Sequence, residues 1–363
     1  MLQQRTFRKL IAPVLVGAMA LAACGSDDDA EEASDDSVAE AEAPASSDAP
    51  EEAGSSEGAK IFMAPKFTGL AYFEVAREGG EQAGEDLGLD FQYIGSDKPE
   101  ATEQIATLTN AIPQSPDALV VSAIDGDAIA PALNDARDAG IKVVTYDADA
   151  NVDARDLFIN QLSYELAART MLDAALLNSP DGGLVAFISA SPTAPNHTAH
   201  VNFMKEFIDG DPAYSSLSYV DEVQFAGDDA AKSQEIALNL IQANPDLKVI
   251  ISSSAVSAPA AQQAIVNAGM SGEVWATGFA LPSSVRDFIN DGSSAAFALW
   301  DPAELGYVAT VAAAQLVSGE ITAEEGQVID AGEAGTYTVG ADGEVLYDKP
   351  LMFTADNIAD FDF

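Results

Sequence analysis

From about residue 60 onward, short apolar runs rich in β-branched residues alternate with longer stretches whose apolar positions recur every three or four residues. Lys60-Ile61-Phe62-Met63-Ala64 precedes a helical pattern from Tyr72 to Leu87, and Phe91-Gln92-Tyr93-Ile94 precedes one from Ala101 to Ile112. Ala118-Leu119-Val120-Val121-Ser122 leads to a helix over Asp127 to Ala139, and Lys142-Val143-Val144-Thr145-Tyr146 ends at Asp147. Leu119-Val120-Val121 is apolar on both faces, as a parallel strand covered by helices on each side must be. A second series follows, with strands at Leu184 to Ile188, Ser218 to Phe225, Val249 to Ser252 and Val274 to Thr277. Strand-then-helix repetition of this kind predicts an α/β protein of two doubly wound parallel-sheet lobes joined by crossing hinge segments. The crossings are expected near Asn160-Gln161, Phe279 to Pro282 and Trp300-Asp301. The first lobe is then expected over 60–160 plus 281–300 and the second over 161–280 plus 301–345, with 346–363 packed on the body as a tail.

What precedes residue 60 has a different character. Arg5, Arg8 and Lys9 lead into an apolar run and then Leu21-Ala22-Ala23-Cys24, which holds the one cysteine of the chain. A basic start, a short apolar stretch and small residues before a break predict a secretory signal over 1–23, too short to span a bilayer as a stable helix. A lone cysteine has no partner for a disulfide. Between Gly25 and Ala59 there is no aromatic residue, Lys or Arg, but many Ala, Ser, Asp and Glu. Such a segment buries too little apolar surface to offset its ordering entropy, so 24–59 is expected to be an acidic disordered tether. The whole chain of 363 residues carries a formal charge of −43, from 59 acidic against 16 basic residues. Nucleic acid is excluded as a partner, because binding phosphates needs clustered Lys and Arg.

In open parallel sheets, ligands meet the loops at the carboxyl ends of the strands. Lys66 follows the first strand, Asp147 the fourth, Asn196 and His197 the first strand of the second lobe, Ser253 and Ala255 a later one, and Asp301 a crossing. Together they offer a cation, two carboxylates and several neutral donors and acceptors, with Phe67, Phe73 or Trp300 to stack on a C–H face. A sugar needs that mixture, since each hydroxyl both gives and takes a hydrogen bond. Singly, each charged residue also fits a solvated loop or a helix cap, and Trp300 also fits a core. Asp147 and Asp301 would be the carboxylate pair of a tethered glycosidase. His197 and His200, three residues apart, would share a helix face as a metal pair, but no third ligand is evident, so no metal is expected. There is no glycine-rich phosphate loop and no nucleophile elbow.

Several of these segments resemble one family. Ala64-Pro65-Lys66 with Tyr72-Phe73, Thr145-Tyr146-Asp147-Ala148-Asp149, Ile159-Asn160-Gln161, Ser191-Pro192-Thr193 and Trp300-Asp301 are similar to the ligand loops and crossings of the autoinducer-2 receptor. Thr277-Gly278-Phe279-Ala280-Leu281-Pro282 and Leu305-Gly306-Tyr307 look closer to the rhamnose-binding protein, and the ending from Asn357 to Phe363 suits both. The chain thus resembles the sugar-binding lipoproteins of ABC importers, which implies a periplasmic binding protein type I fold from about Lys60 to Phe363. The resemblance implies ligand contacts from Lys66, Asp147, Ala255 and Asp301. Asn196 and His197 stand where the receptor has an acidic residue and a glutamine, and Ser253 where it has a proline. It also implies capture of a rhamnose-like or autoinducer-2-like polyol, presentation to an ABC permease, no catalysis, no cofactor and a monomer. Leu-Ala-Ala-Cys resembles a lipobox, implying lipidation of Cys24 and an extracytoplasmic protein anchored to the membrane. A sugar-sensing adaptor for a chemoreceptor or sensor kinase would use the same cleft.

Overall fold

The computed structural model describes residues 54–363, so the signal, Cys24 and most of the expected tether lie outside the described residues. The first lobe is built from β1 (Lys60–Ala64), α1 (Ala71–Leu87), β2 (Asp90–Tyr93), α2 (Ala101–Ala111), β3 (Ala118–Val121), α3 (Gly126–Asp138), β4 (Lys142–Tyr146) and β5 (Leu157–Asn160). The second contains α4 (Tyr164–Asn178), β6 (Gly183–Ser189), α5 (Pro195–Gly210), β7 (Leu217–Tyr219), β8 (Gln224–Phe225), α6 (Ala230–Ala243), β9 (Leu247–Ser252), α7 (Ser257–Asn267), β10 (Trp275–Gly278), α8 (Pro282–Asn290) and β11 (Phe297–Leu299). The chain then continues through α9 (Pro302–Ser318), β12 (Val328–Asp330), β13 (Thr336–Thr338), β14 (Glu344–Leu346) and β15 (Leu351–Phe353).

The sheet order is β14-β5-β4-β3-β1-β2 in the first lobe and β10-β9-β6-β7 in the second, every one of these pairs parallel. The period-two alternation of the strands divides each sheet between two cores. Ile61, Met63, Val120 and Val144 face the central core, whereas Phe62, Leu119, Val121 and Val143 pack with Leu108, Ile129 and Leu133 of α2 and α3. In the second lobe Val185, Phe187, Val249 and Ile251 face the central core, and Ala186, Ile188 and Ile250 pack with Leu240 and Ile265 of α6 and α7. Helix starts are set locally: Asp125, Ser163 and Asp229 accept from Ala128, Leu166 and Lys232 N–H groups, as caps do.

The returning segments differ from the expectation. Helix α9 packs on α1, β3 and β4, and β14 extends the first sheet beside β5, so these parts of 301–345 complete the first lobe. An ideal Cβ on Gly79 would lie 1.7 Å from the Ala303 carbonyl oxygen, and one on Gly306 would lie 2.1 Å from that of Ala76. Two helix backbones touch there, which only glycines permit. Residues 281–300 stay in the second lobe, because Ala280 N–H donates to the Ala298 carbonyl and β15 pairs antiparallel with β11. Phe279 to Pro282 is therefore a turn within the second lobe. The third crossing is 347–350, where Tyr347 and Asp348 N–H groups donate to the Asn160 and Gln161 carbonyls. The final segment packs on the second lobe through Phe353, Phe361 and Phe363, and Ser283 N–H donates to the Phe363 carbonyl.

Two smaller differences follow from local pairing. The expected strand from Ser218 to Phe225 is two pieces, β7 and β8, each beside a different part of β6. Residues 54–59, expected as the end of the tether, lie against the first lobe: Gly54 N–H donates to Ser318 and Gly58 N–H to Gly88.

Candidate functional site

The carboxyl ends of β1, β3 and β4 form one wall of a cavity between the lobes. Asp147, directly after β4, has φ +60°, and this left-handed turn places its carboxylate beside Lys66. Lys66 Nζ lies 3.2 Å from Asp147 Oδ2, with both side chains about nine-tenths buried. Ser122 Oγ, at the end of β3, donates to the same oxygen at 2.7 Å. Beneath them the buried Gln104 ties the loops together. Its Nε2 donates to the Pro65 and Ser122 carbonyls, and its Oε1 accepts from Ile124 N–H.

The opposite wall comes from the second lobe. Pro195 starts α5 at a position that needs no N–H donor, which puts Asn196, His197 and His200 on its first two turns. Asn196 Nδ2 donates across the cleft to the Asp147 carbonyl at 3.4 Å, while its Oδ1 is buried without a partner. His197 Nδ1 accepts from Ala190 N–H at 3.4 Å, which leaves the ring proton on Nε2. Burial, then the Lys66 charge, lower both imidazoles: His197 well below its usual range and His200 to about 3. Ser253, Ser254 and Ala255 follow β9. Ser254 Oγ donates to Asp228 Oδ1 at 2.5 Å, and burial raises the Asp228 carboxyl against the opposing effects of that hydroxyl and of Lys66.

Aromatic rings close the remaining side. Phe73 meets Tyr72 edge-on at 5.1 Å and Tyr146 at 6.4 Å, Trp300 Nε1 donates to the Tyr72 hydroxyl at 3.0 Å, and Phe279 meets Trp300 at 4.9 Å. These groups line a cavity of about 40 Å³.

Lys66, Phe73, Asp147, Asn196, His197, Ser253 and Ala255, all expected from the sequence, line this one cavity. Asp301 does not. Its Oδ1 accepts from Ala303 and Glu304 N–H groups as the cap of α9, with Pro302 at the first helical position. Tyr72, His200, Asp228, Phe279 and Trp300 also line the cavity. Asp228 escaped notice although it follows β8 in the sequence Ala226-Gly227-Asp228-Asp229; the strand end was a sufficient signal. Gln104 carried no signal, since a glutamine inside a helix gives no hint of the two loops it joins. Among the described residues no group of three or more His, Cys, Asp or Glu could hold a metal ion, and no helix is long and apolar enough to cross a membrane.

The family model described as a periplasmic binding protein domain matches residues 61–321. A sugar ABC transporter protein from Actinomyces odontolyticus is 38% identical, with 85% of this chain and 98% of that one covered and a TM-score of 0.71. A solute-binding protein from Clostridium phytofermentas, solved with bound L-rhamnose, is 32% identical over 84% and 98%, with a TM-score of 0.78. LsrB from Clostridium saccharobutylicum, solved in complex with AI-2, is 25% identical over 84% and 99%, also with a TM-score of 0.78. The multiple sugar-binding periplasmic receptor ChvE of Rhizobium radiobacter is 30% identical over 34% of this chain, a match spanning 36% of the receptor. These relatives are receptors for solutes rather than enzymes. The chain belongs to the periplasmic binding protein domain family and, within it, to the sugar-binding components of ABC transporters.

Proposed function

We propose that this protein captures a small neutral deoxy sugar of the rhamnose class between its lobes and presents the closed form to an ABC permease. One observation carries the reading: the cavity sets the Lys66–Asp147 pair, Asn196 and two neutral imidazoles against a wall of Leu70, Phe73, Phe279, Leu299 and Trp300. Polar groups for hydroxyls on one side and an apolar wall on the other suit a ring that carries both hydroxyls and a methyl group. Since both lobes contribute, the ligand stabilises the closed state over the open one. A Kd near micromolar corresponds to about 8 kcal/mol, within reach of a handful of buried polar contacts.

A second reading, an AI-2-like furanosyl diol, is favoured by the likeness to LsrB and by Lys66, Asp147 and Ala255 in the cavity. Against it, Asn196, His197 and Ser253 replace the side chains that the autoinducer-2 receptor is expected to use. A thermal-shift screen with L-rhamnose, other deoxyhexoses, pentoses, tetritols and AI-2 separates the two, because a true ligand raises the melting temperature by mass action. Stabilisation by L-rhamnose or a related deoxyhexose is expected, and stabilisation by AI-2 alone would overturn the first reading.

The protein acts as a monomer held at the outer face of the membrane by lipid on Cys24. The lipobox-like Leu21-Ala22-Ala23-Cys24 supports this part of the reading. Cys24→Ala is expected to release the protein from the membrane fraction, and its retention there would remove the anchor.

A further inference from the structure

His200 stands out among the buried groups of the cleft. It is 1% exposed, and neither Nδ1 nor Nε2 has a hydrogen-bond partner. Its ring lies between the edges of Tyr164 and Phe279, each at 5.7 Å, and stacks at 6.4 Å on His197 one helical turn earlier. A neutral imidazole holds one N–H and one lone pair, and burying both unpaired costs free energy that a phenyl ring of similar shape would avoid. The orphaned Asn196 Oδ1 lies on the same helix, and both residues line the cavity.

We propose that His200 is a specificity-determining ligand contact, whose imidazole donates to and accepts from hydroxyl groups of the captured sugar. A sugar hydroxyl is the matching partner because it too both donates and accepts, and two vicinal hydroxyls would satisfy His200 together with Asn196 Oδ1. The neutral form is required, since a charged ring only donates. Burial first, and then the Lys66 charge from the loop after β1, hold it neutral; His197 faces it from the same helix and Tyr164 from α4, while Asp147, Asp228 and Tyr72 line the rest of the cavity. An apolar Phe279 edge beside the ring favours a ligand whose hydroxyls are flanked by C–H surface.

The inference rests on the sugar-capture reading, and one set of titrations distinguishes the two. Calorimetry with L-rhamnose, D-ribose, D-xylose, D-arabinose and AI-2 is run on the wild type, His200→Phe, His200→Leu and His200→Gln, with melting temperatures measured alongside. For the best-bound probe, Kd is expected to rise by about tenfold or more in the Phe and Leu variants, a loss of about 1.4 kcal/mol or more, without a lower melting temperature. Gln keeps a donor and an acceptor and is expected to stay within about threefold of the wild type. Unchanged affinity in whichever apolar variant folds would overturn the role of His200 and leave sugar capture standing. A Gln variant as weak as the apolar ones would show that ring size matters rather than hydrogen bonding, which also overturns it. Failure of the wild type to bind any probe would overturn the capture reading and this inference with it.

Discussion

Asp147 offers the sharpest test of the cleft, because two substitutions there separate charge from backbone geometry. Its φ of +60° lies in the left-handed region, which asparagine tolerates and alanine does not. Its Oδ2 takes both the 3.2 Å approach of Lys66 and the 2.7 Å hydrogen bond from Ser122. In Asp147→Asn the backbone and the Ser122 contact survive, but a nearly buried lysine loses its counter-charge and a ligand hydroxyl loses a charged acceptor. Hydrogen bonds to charged groups contribute about 1.5–3 kcal/mol, so Kd is expected to weaken by about 10- to 150-fold with little change in fold. Asp147→Ala removes the same acceptor and also strains the turn by about 1 kcal/mol or more, which lowers the melting temperature by about 2–4 °C as well. Isothermal titration with the ligand from the thermal screen measures the first effect, and calorimetric melting the second. If Asp147→Asn bound within twofold of the wild type, Asp147 would not touch the ligand and the polar wall would need redrawing.

Ligand affinity is expected to fall at acid pH. The closed cleft lowers His197 and His200, the latter to about 3, through burial and Lys66, whereas a solvated open cleft leaves them near about 6.5. Closure therefore requires neutral rings: affinity is full above about pH 6.5 and declines as pH falls below it, by about tenfold at pH 5.5 for each imidazole that must lose a proton. Titrations from pH 5 to 8 check this, and a flat profile refutes it. Gly79→Ala drives a methyl group into the Ala303 carbonyl, so urea denaturation should show a loss of about 1–3 kcal/mol, and an unchanged midpoint would contradict the close helix contact. Gln104→Leu leaves the Pro65 and Ser122 carbonyls and the Ile124 N–H unpaired, so both melting temperature and affinity should drop, by about 1–3 kcal/mol in stability; an affinity loss without destabilisation would instead make Gln104 a direct contact.

Periodicity alone was enough to identify the two parallel sheets, because strands buried on both faces and amphipathic helices leave a pattern that needs no partner to interpret. It was enough, too, to point to the strand ends, and Lys66, Asp147, Asn196, His197, Ser253 and Ala255 meet there because parallel sheets direct their carboxyl-end loops to one side. The destination of a returning segment is not a local property. Helix α9 is apolar nearly all round and would suit either lobe, and its place beside α1 rests on the close approach of Gly79 to Ala303 and of Gly306 to Ala76, pairs more than two hundred residues apart. Asp301 shows the same limit on the scale of one side chain. A carboxylate before Pro302 fits a helix cap and a ligand contact equally well in sequence, and only the direction of α9 assigned it to the cap. The unpaired imidazole of His200 and the three-way tie of Gln104 arise from residues distant along the chain, so they existed only once the lobes had folded and packed.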